Sequence, residues 1–147
     1  MRFLLIDKIV KFETGVRLLA LKNVSMSEDI FTDHFPTFPV LPGAFIIDAF
    51  EQAATLCIGA TIGFVDLLGL THVRNGKFRR FVRPGDQIMV EAAIAHLDEK
   101  SARMLCSGKV DGREVARAEL EFTRINDPSS QHPFRLKGLF HQLTSLS

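Results

Sequence analysis

Tryptophan and tyrosine are absent from this chain, and cysteine occurs only at positions 57 and 106. Two isolated thiols lack the paired spacing of a metal site, and Cys57 falls inside an apolar run. Both therefore read as small core residues of a protein kept in a reducing compartment. No sign of charge dominates: 18 lysines and arginines face 17 aspartates and glutamates, which leaves no overall field to draw in nucleic acid or a membrane. The N-terminal apolar run breaks at Asp7, too early for a signal peptide. The longest apolar stretch carries Asp48 and Glu51 and is followed by Asp66, which speaks against a bilayer span. A cytoplasmic chain with one packed domain is expected, since 147 residues hold little more.

What the sequence does have is concentrated between His34 and Gln52. Prolines at 36, 39 and 42 fix φ and bias the residues before them toward extended geometry, so His34 sits on a stiff loop. Gly43 then opens a run to residue 60 that is apolar on nearly every side of a helical projection, as in a helix surrounded by protein. Asp48 lies inside that run and is expected to be buried. A buried carboxyl without a cation raises its pKa and stays protonated, which suits a general acid. Gln52, one turn further along the same face, is placed to orient Asp48 through its amide.

Around this segment the pattern is that of strands. Residues 3–13 and 16–24 read as two strands joined at Thr14-Gly15, and residues 25–32 as a polar stretch with a single helical turn. Glycines between 59 and 69 predict a loop or lid after the helix. Residues 72–83, 87–96, 102–110 and 114–125 read as a meander of about four strands, with turns at Pro84-Gly85-Asp86, Asp98-Glu99-Lys100 and Asp111-Gly112. The class is α+β, an antiparallel sheet wrapped around one long central helix. One sheet of this size covers only part of such a helix, so a twofold dimer is expected to complete the burial. Residues 1–125 form the expected domain. Residues 126–133 read as a linker, and 134–146 as a short amphipathic helix through Leu136, Leu139, Phe140 and Leu143.

At these residues the chain resembles the hot-dog-fold β-hydroxyacyl-acyl-carrier-protein dehydratases, along nearly its whole length up to about residue 126. The resemblance rests on Phe3-Leu4-Leu5-Ile6-Asp7-Lys8-Ile9, Ala20-Leu21-Lys22-Asn23-Val24, His34-Phe35-Pro36 with Pro39-Val40-Leu41-Pro42-Gly43, Gly76-Lys77-Phe78-Arg79-Arg80, and Val82-Arg83-Pro84-Gly85-Asp86. It implies that His34 is the catalytic histidine, Asp48 the catalytic acid and Gly43 the backbone donor to the thioester oxygen. It also implies that one site takes His34 and Asp48 from opposite protomers, and that no metal or organic cofactor is used. Pro42, Phe38, Phe45 and Gln52 are then expected near the substrate, with phenylalanines at 38, 45, 50 and 64 lining an acyl tunnel. Lys77, Arg79, Arg80 and Arg83 are expected to meet the acidic surface of an acyl carrier protein. That basic stretch is too small and too poor in stacking aromatics for a nucleic-acid groove.

Several residues depart from the family's usual pattern. Asp48 is the residue type of the dehydratase/isomerase branch, while the rest of the chain is more like the short dehydratases, which carry Glu there. Thr37 and Phe38 make the histidine loop bulkier, Asp33 places a charge beside His34, and Glu51 adds a second acid near Asp48. The implied activity is dehydration of 3-hydroxyacyl thioesters to trans-2-enoyl thioesters in fatty-acid or related lipid and polyketide synthesis. Two alternatives on the same fold are a non-catalytic or partner-dependent subunit of a heteromeric dehydratase, and an acyl thioesterase.

Overall fold

The computed structural model describes residues 5–125 and 132–145. Strands β1 (Lys8–Glu13) and β2 (Arg17–Asn23) lead through a 3-10 turn at Asp29–Thr32 to helix α1 (Gly43–Thr61). Strands β3 (Leu68–Phe78), β4 (Gln87–Leu97), β5 (Ser101–Val110) and β6 (Arg113–Arg124) follow, and helix α2 (His132–Thr144) comes last. The six strands form one sheet in the order β1-β2-β4-β5-β6-β3, with every neighbouring pair antiparallel.

Period-two burial explains how the sheet takes up the helix. On β5, Ala102, Met104, Cys106 and Gly108 turn inward while Arg103, Leu105 and Lys109 face out. The inward face packs on α1, which supplies Ile46, Ala49, Phe50, Ala53, Ala54, Leu56 and Cys57 to the core. Phe50, Met104, Leu120 and Phe122 are fully enclosed, each contributing roughly 1.5–3 kcal/mol by leaving water. By length and composition alone α1 is apolar enough to cross a bilayer, but 56% of it is buried within the chain.

The turns follow the expected chemistry. Asp111 and Gly112 both take positive φ, 51° and 78°, the type I′ geometry that matches strand twist and that glycine adopts without strain. Asp98 accepts the N–H groups of Lys100 and Ser101 at 2.7 and 2.9 Å and so closes the β4–β5 hairpin. The strand expected over 72–83 instead runs Leu68–Phe78. Beyond Phe78 the register with β6 ends, where Arg79 and Arg80 N–H share the one Val115 carbonyl at 2.7 and 3.4 Å, and Leu41 N–H then claims the Val82 carbonyl at 2.8 Å. The glycine-rich stretch after α1 is accordingly short, since β3 already begins at Leu68.

Most of the linker read over 126–133 lies outside the described residues, and α2 begins two residues before the predicted start. Helix α2 lies on α1 and β1. Its Leu136 and Leu143 are buried, and Phe140 meets Phe12 edge-on at 5.3 Å and Phe64 at 5.8 Å.

Candidate active site

His34 leaves the 3-10 turn with its N–H on the Ile30 carbonyl at 3.0 Å, and Phe31 of that turn is buried. The following segment closes on itself. Val40 N–H donates to the His34 carbonyl at 3.0 Å, and Phe38 N–H to the Phe35 carbonyl at 3.1 Å. The half-buried imidazole stacks on Phe35 with ring centroids 4.2 Å apart. Its Nδ1 sits 2.9 Å from the Val40 carbonyl oxygen. A carbonyl only accepts, so Nδ1 carries the hydrogen, and in the neutral ring the lone pair is on Nε2. The backbone thus sets the tautomer of the imidazole.

The loop ends at Pro42, and α1 begins at Gly43 with no side-chain cap on its first N–H groups. Those donors and the positive end of the helix dipole make a site for a developing oxyanion. A side chain at 43 would crowd it: a Cβ built there meets Cε1 and Cζ of Phe78 at 2.9 Å. Glycine lets the Phe78 ring lie against the helix start.

Asp48 does not meet its expectation within one chain. It is exposed, because the N-terminal part of α1 turns Ala44 and Asp48 away from the sheet. Gln52 is buried, and its Oε1 accepts the Leu5 N–H at 2.8 Å, so its carbonyl ties α1 to the N-terminal segment rather than serving Asp48. Glu51, half-buried on the same helix, has its carboxyl pushed above the usual range, first by burial and then by the charge of Asp48. Asp33 is exposed, and His34 Nδ1 is taken by Val40 instead of by its carboxylate.

Among the phenylalanines expected around an acyl chain, Phe45 is partly buried on α1, Phe50 is wholly in the core, and Phe64 belongs to the cluster under α2. Phe38 is exposed on the loop, with Phe81 edge-on at 5.9 Å and the Arg83 guanidinium 4.3 Å above its ring. Lys77, Arg79, Arg80 and Arg83 are all exposed, but they are not equivalent. Arg79 Nε donates to Glu114 at 2.7 Å, and Arg83 is occupied by Phe38. Burial pushes the Cys57 thiol up to about 12 and raises that of Cys106 as well, which keeps both protonated as core residues. Among the described residues no group of three or more His, Cys, Asp or Glu is arranged to hold a metal ion.

The Val40 carbonyl, the Leu41–Val82 link and the contact of Phe78 with Gly43 escaped the sequence. Main-chain acceptors carry no residue signature, and Phe78 lies 35 positions from Gly43. A model of the FabA-like domain matches residues 1–119. The chain belongs to this family.

Curated relatives agree in length as well as sequence. The 3-hydroxyacyl-[acyl-carrier-protein] dehydratase FabZ of Vibrio cholerae is 42% identical over 127 residues, 83% of this chain and 82% of that protein. The FabZ of Coxiella burnetii is 37% identical over 122 residues, 80% and 86% of the two chains. The FabZ of Listeria welshimeri is 35% identical over 127 residues, 86% and 88%. Among solved structures, the dehydratase heterocomplex ApeI:P of Xenorhabdus doucetiae superposes with a TM-score of 0.65 at 18% identity, over 84% of each chain. The smu.793 protein of Streptococcus mutans, bound to acetyl CoA, gives 0.66 at 15% identity over 80% of this chain and 87% of the other. At such identities the structures speak for the fold alone. A sheet wrapped on one central helix is the hot-dog fold of this FabA-like chain.

Proposed function

We propose that this chain dehydrates 3-hydroxyacyl thioesters carried on acyl carrier protein to trans-2-enoyl thioesters, as part of fatty-acid or related lipid synthesis in the cytoplasm. Support comes from the FabZ relatives and, within the chain, from one observation above others. The Val40 carbonyl holds His34 Nδ1–H and so presents Nε2 as a proton acceptor.

In this reaction Nε2 of neutral His34 takes the α-proton while the Gly43 N–H steadies the negative charge on the thioester oxygen. The β-carbon–oxygen bond breaks, protonated Asp48 gives its proton to the departing hydroxyl, and water leaves. A proton passed from His34 back to Asp48 resets the pair.

The unit is a homodimer in which Asp48 serves the His34 of the other chain. Two features favour it. Among the described residues strand β3 pairs with β6 alone, and from Thr71 to Phe78 it is exposed, including Val73 and Phe78. The exposed face of α1 carries Ala44 and Asp48, and Gly43 at the helix start lies against Phe78 of β3, so a second chain seated there would take the Asp48 carboxyl out of water. Residues 1–125 act as the dehydratase domain with α2 as an added cover. Lys77 and Arg80, which among the described residues have no ion-pair or ring contact like those that engage Arg79 and Arg83, are the cations best placed to meet an acidic carrier.

Purified protein given 3-hydroxyacyl-carrier protein should form enoyl product without releasing free carrier thiol. His34→Ala should lower turnover by about 10²- to 10⁴-fold. Equal turnover by wild type and His34→Ala overturns the assignment, and thiol release would make the activity hydrolysis.

A further inference from the structure

We infer that Arg83 positions the catalytic base, by clamping Phe38 at the tip of the His34 loop. The inference rests on His34 being the base, and it moves Arg83 from carrier recognition to the histidine loop.

The loop is a small closed unit. Residues 34 and 40 are joined twice, by Val40 N–H to the His34 carbonyl at 3.0 Å and by His34 Nδ1 to the Val40 carbonyl at 2.9 Å. Phe35 and Phe38 exchange backbone bonds at 3.1 and 3.4 Å. Any tilt of the Phe38 end therefore carries Val40, and with it the hydrogen bond that aims the imidazole.

That end is held from outside by the β3–β4 connection. Leu41 N–H reaches the carbonyl of Val82, whose side chain is buried. Phe81 and Arg83 flank Val82 and are exposed, so both turn away from the core. They meet the Phe38 ring from two directions: Phe81 edge-on, with planes 78° apart, and the Arg83 guanidinium 4.3 Å from the ring centroid. A cation over an aromatic face is attracted by the ring quadrupole.

Arg83 has the firmer footing of the two. Its N–H donates to Asp86 Oδ2 at 2.9 Å, and its carbonyl accepts the Asp86 N–H at 3.0 Å. That turn is tied in turn to the end of β2, by Val24 N–H to the Asp86 carbonyl at 2.9 Å and Gly85 N–H to the Val24 carbonyl at 2.8 Å. Phe38 rides on an exposed loop, while Arg83 rides on a turn sewn to the sheet. Force passes from the second to the first.

The test uses the full-length protein with a short 3-hydroxyacyl-pantetheine thioester, which needs no carrier docking. Arg83→Gln and Phe38→Leu should each lower kcat by about 3- to 10-fold with KM little changed. The double variant should be no slower than the slower single one, because both remove the same contact. Arg83→Lys, which keeps a cation over the ring, should recover most of the loss. Hydrogen exchange at residues 34–41 should quicken in Arg83→Gln and Phe38→Leu but not in Arg103→Gln, on the outer face of β5. The clamp is overturned if exchange at 34–41 stays unchanged, if the two losses multiply, or if Arg83→Gln raises only KM for the carrier-borne substrate. Faster exchange in the two variants of a protein that lacks dehydratase activity would instead keep the clamp and refute the proposed reaction.

Discussion

His34 Nδ1 lies 2.9 Å from the Val40 carbonyl oxygen, and the same two residues exchange a backbone bond at 3.0 Å. A side chain and a main chain six residues apart are thereby locked into one orientation. Nitrogen NMR of the neutral imidazole should show the Nδ1–H tautomer, with Nε2 carrying the lone pair. The opposite tautomer would remove His34 as a base aimed by Val40.

Sharing of the site between chains is tested by mixing two inactive proteins. His34→Ala and Asp48→Asn homodimers should each be nearly silent. Unfolded together and refolded as an equal mixture, they should recover about one quarter of wild-type turnover, because half the dimers are mixed and each of these holds one intact site. No recovery would place His34 and Asp48 of a single chain in the same site, or remove one of them from catalysis.

Glu51 gives a prediction with a defined pH window. Its folded-state pKa is raised above the ordinary 4.5 by burial and by Asp48, so the ionised form is penalised in the folded protein. The stability tied to the neutral form is fully present below about pH 4.5 and is lost as pH rises through the raised value. Glu51→Gln should therefore raise Tm at pH 7 and leave it nearly unchanged at pH 4. A Tm gain that is equal at both pH values would show that charge is not the cause.

Gly43→Ala separates chemistry from folding. The added methyl would meet the Phe78 ring at 2.9 Å, but the atoms it meets are the far end of a side chain that can turn about its own bonds. Stability should change by less than about 1 kcal/mol, since alanine suits a helix better than glycine. Turnover should fall on the order of 10- to 100-fold through disturbance of the N–H that we propose meets the thioester oxygen. Thermal melts and kcat on one preparation check both halves.

Gln52→Leu should be costly for the opposite reason. Gln52 Oε1 holds the N–H of Leu5, which is only 8% exposed. Removing the acceptor leaves a buried donor unpaired, at about 1–3 kcal/mol. Urea unfolding should show a lower midpoint with an unchanged slope.

Much of this protein was legible in one dimension because the signals are local. Alternation on β4, β5 and β6 marks an inner and an outer face, Asp111-Gly112 calls for a turn with two positive φ angles, and the apolar run after Gly43 is long enough for only a helix. The stiff histidine loop was legible for the same reason, as proline acts on its own backbone and its neighbour's. Residues 79–83 misled, since Phe81 and Val82 look like strand until Arg79 and Arg80 are seen to share the one Val115 carbonyl and Val82 to serve Leu41.

The sequence by itself determined the elements, the turns and the presence of a histidine and an acid bracketing a helix start, because each depends on residues within a few positions of one another. Only the tertiary structure decided that β3 crosses over to pair with β6, that Gln52 belongs to Leu5, that Arg83 is spent on Phe38, and that Asp48 faces outward from a single chain. Those outcomes join positions as distant in the chain as Leu68 and Arg124, and composition cannot encode which distant backbone group a side chain will find once the sheet has closed on its helix.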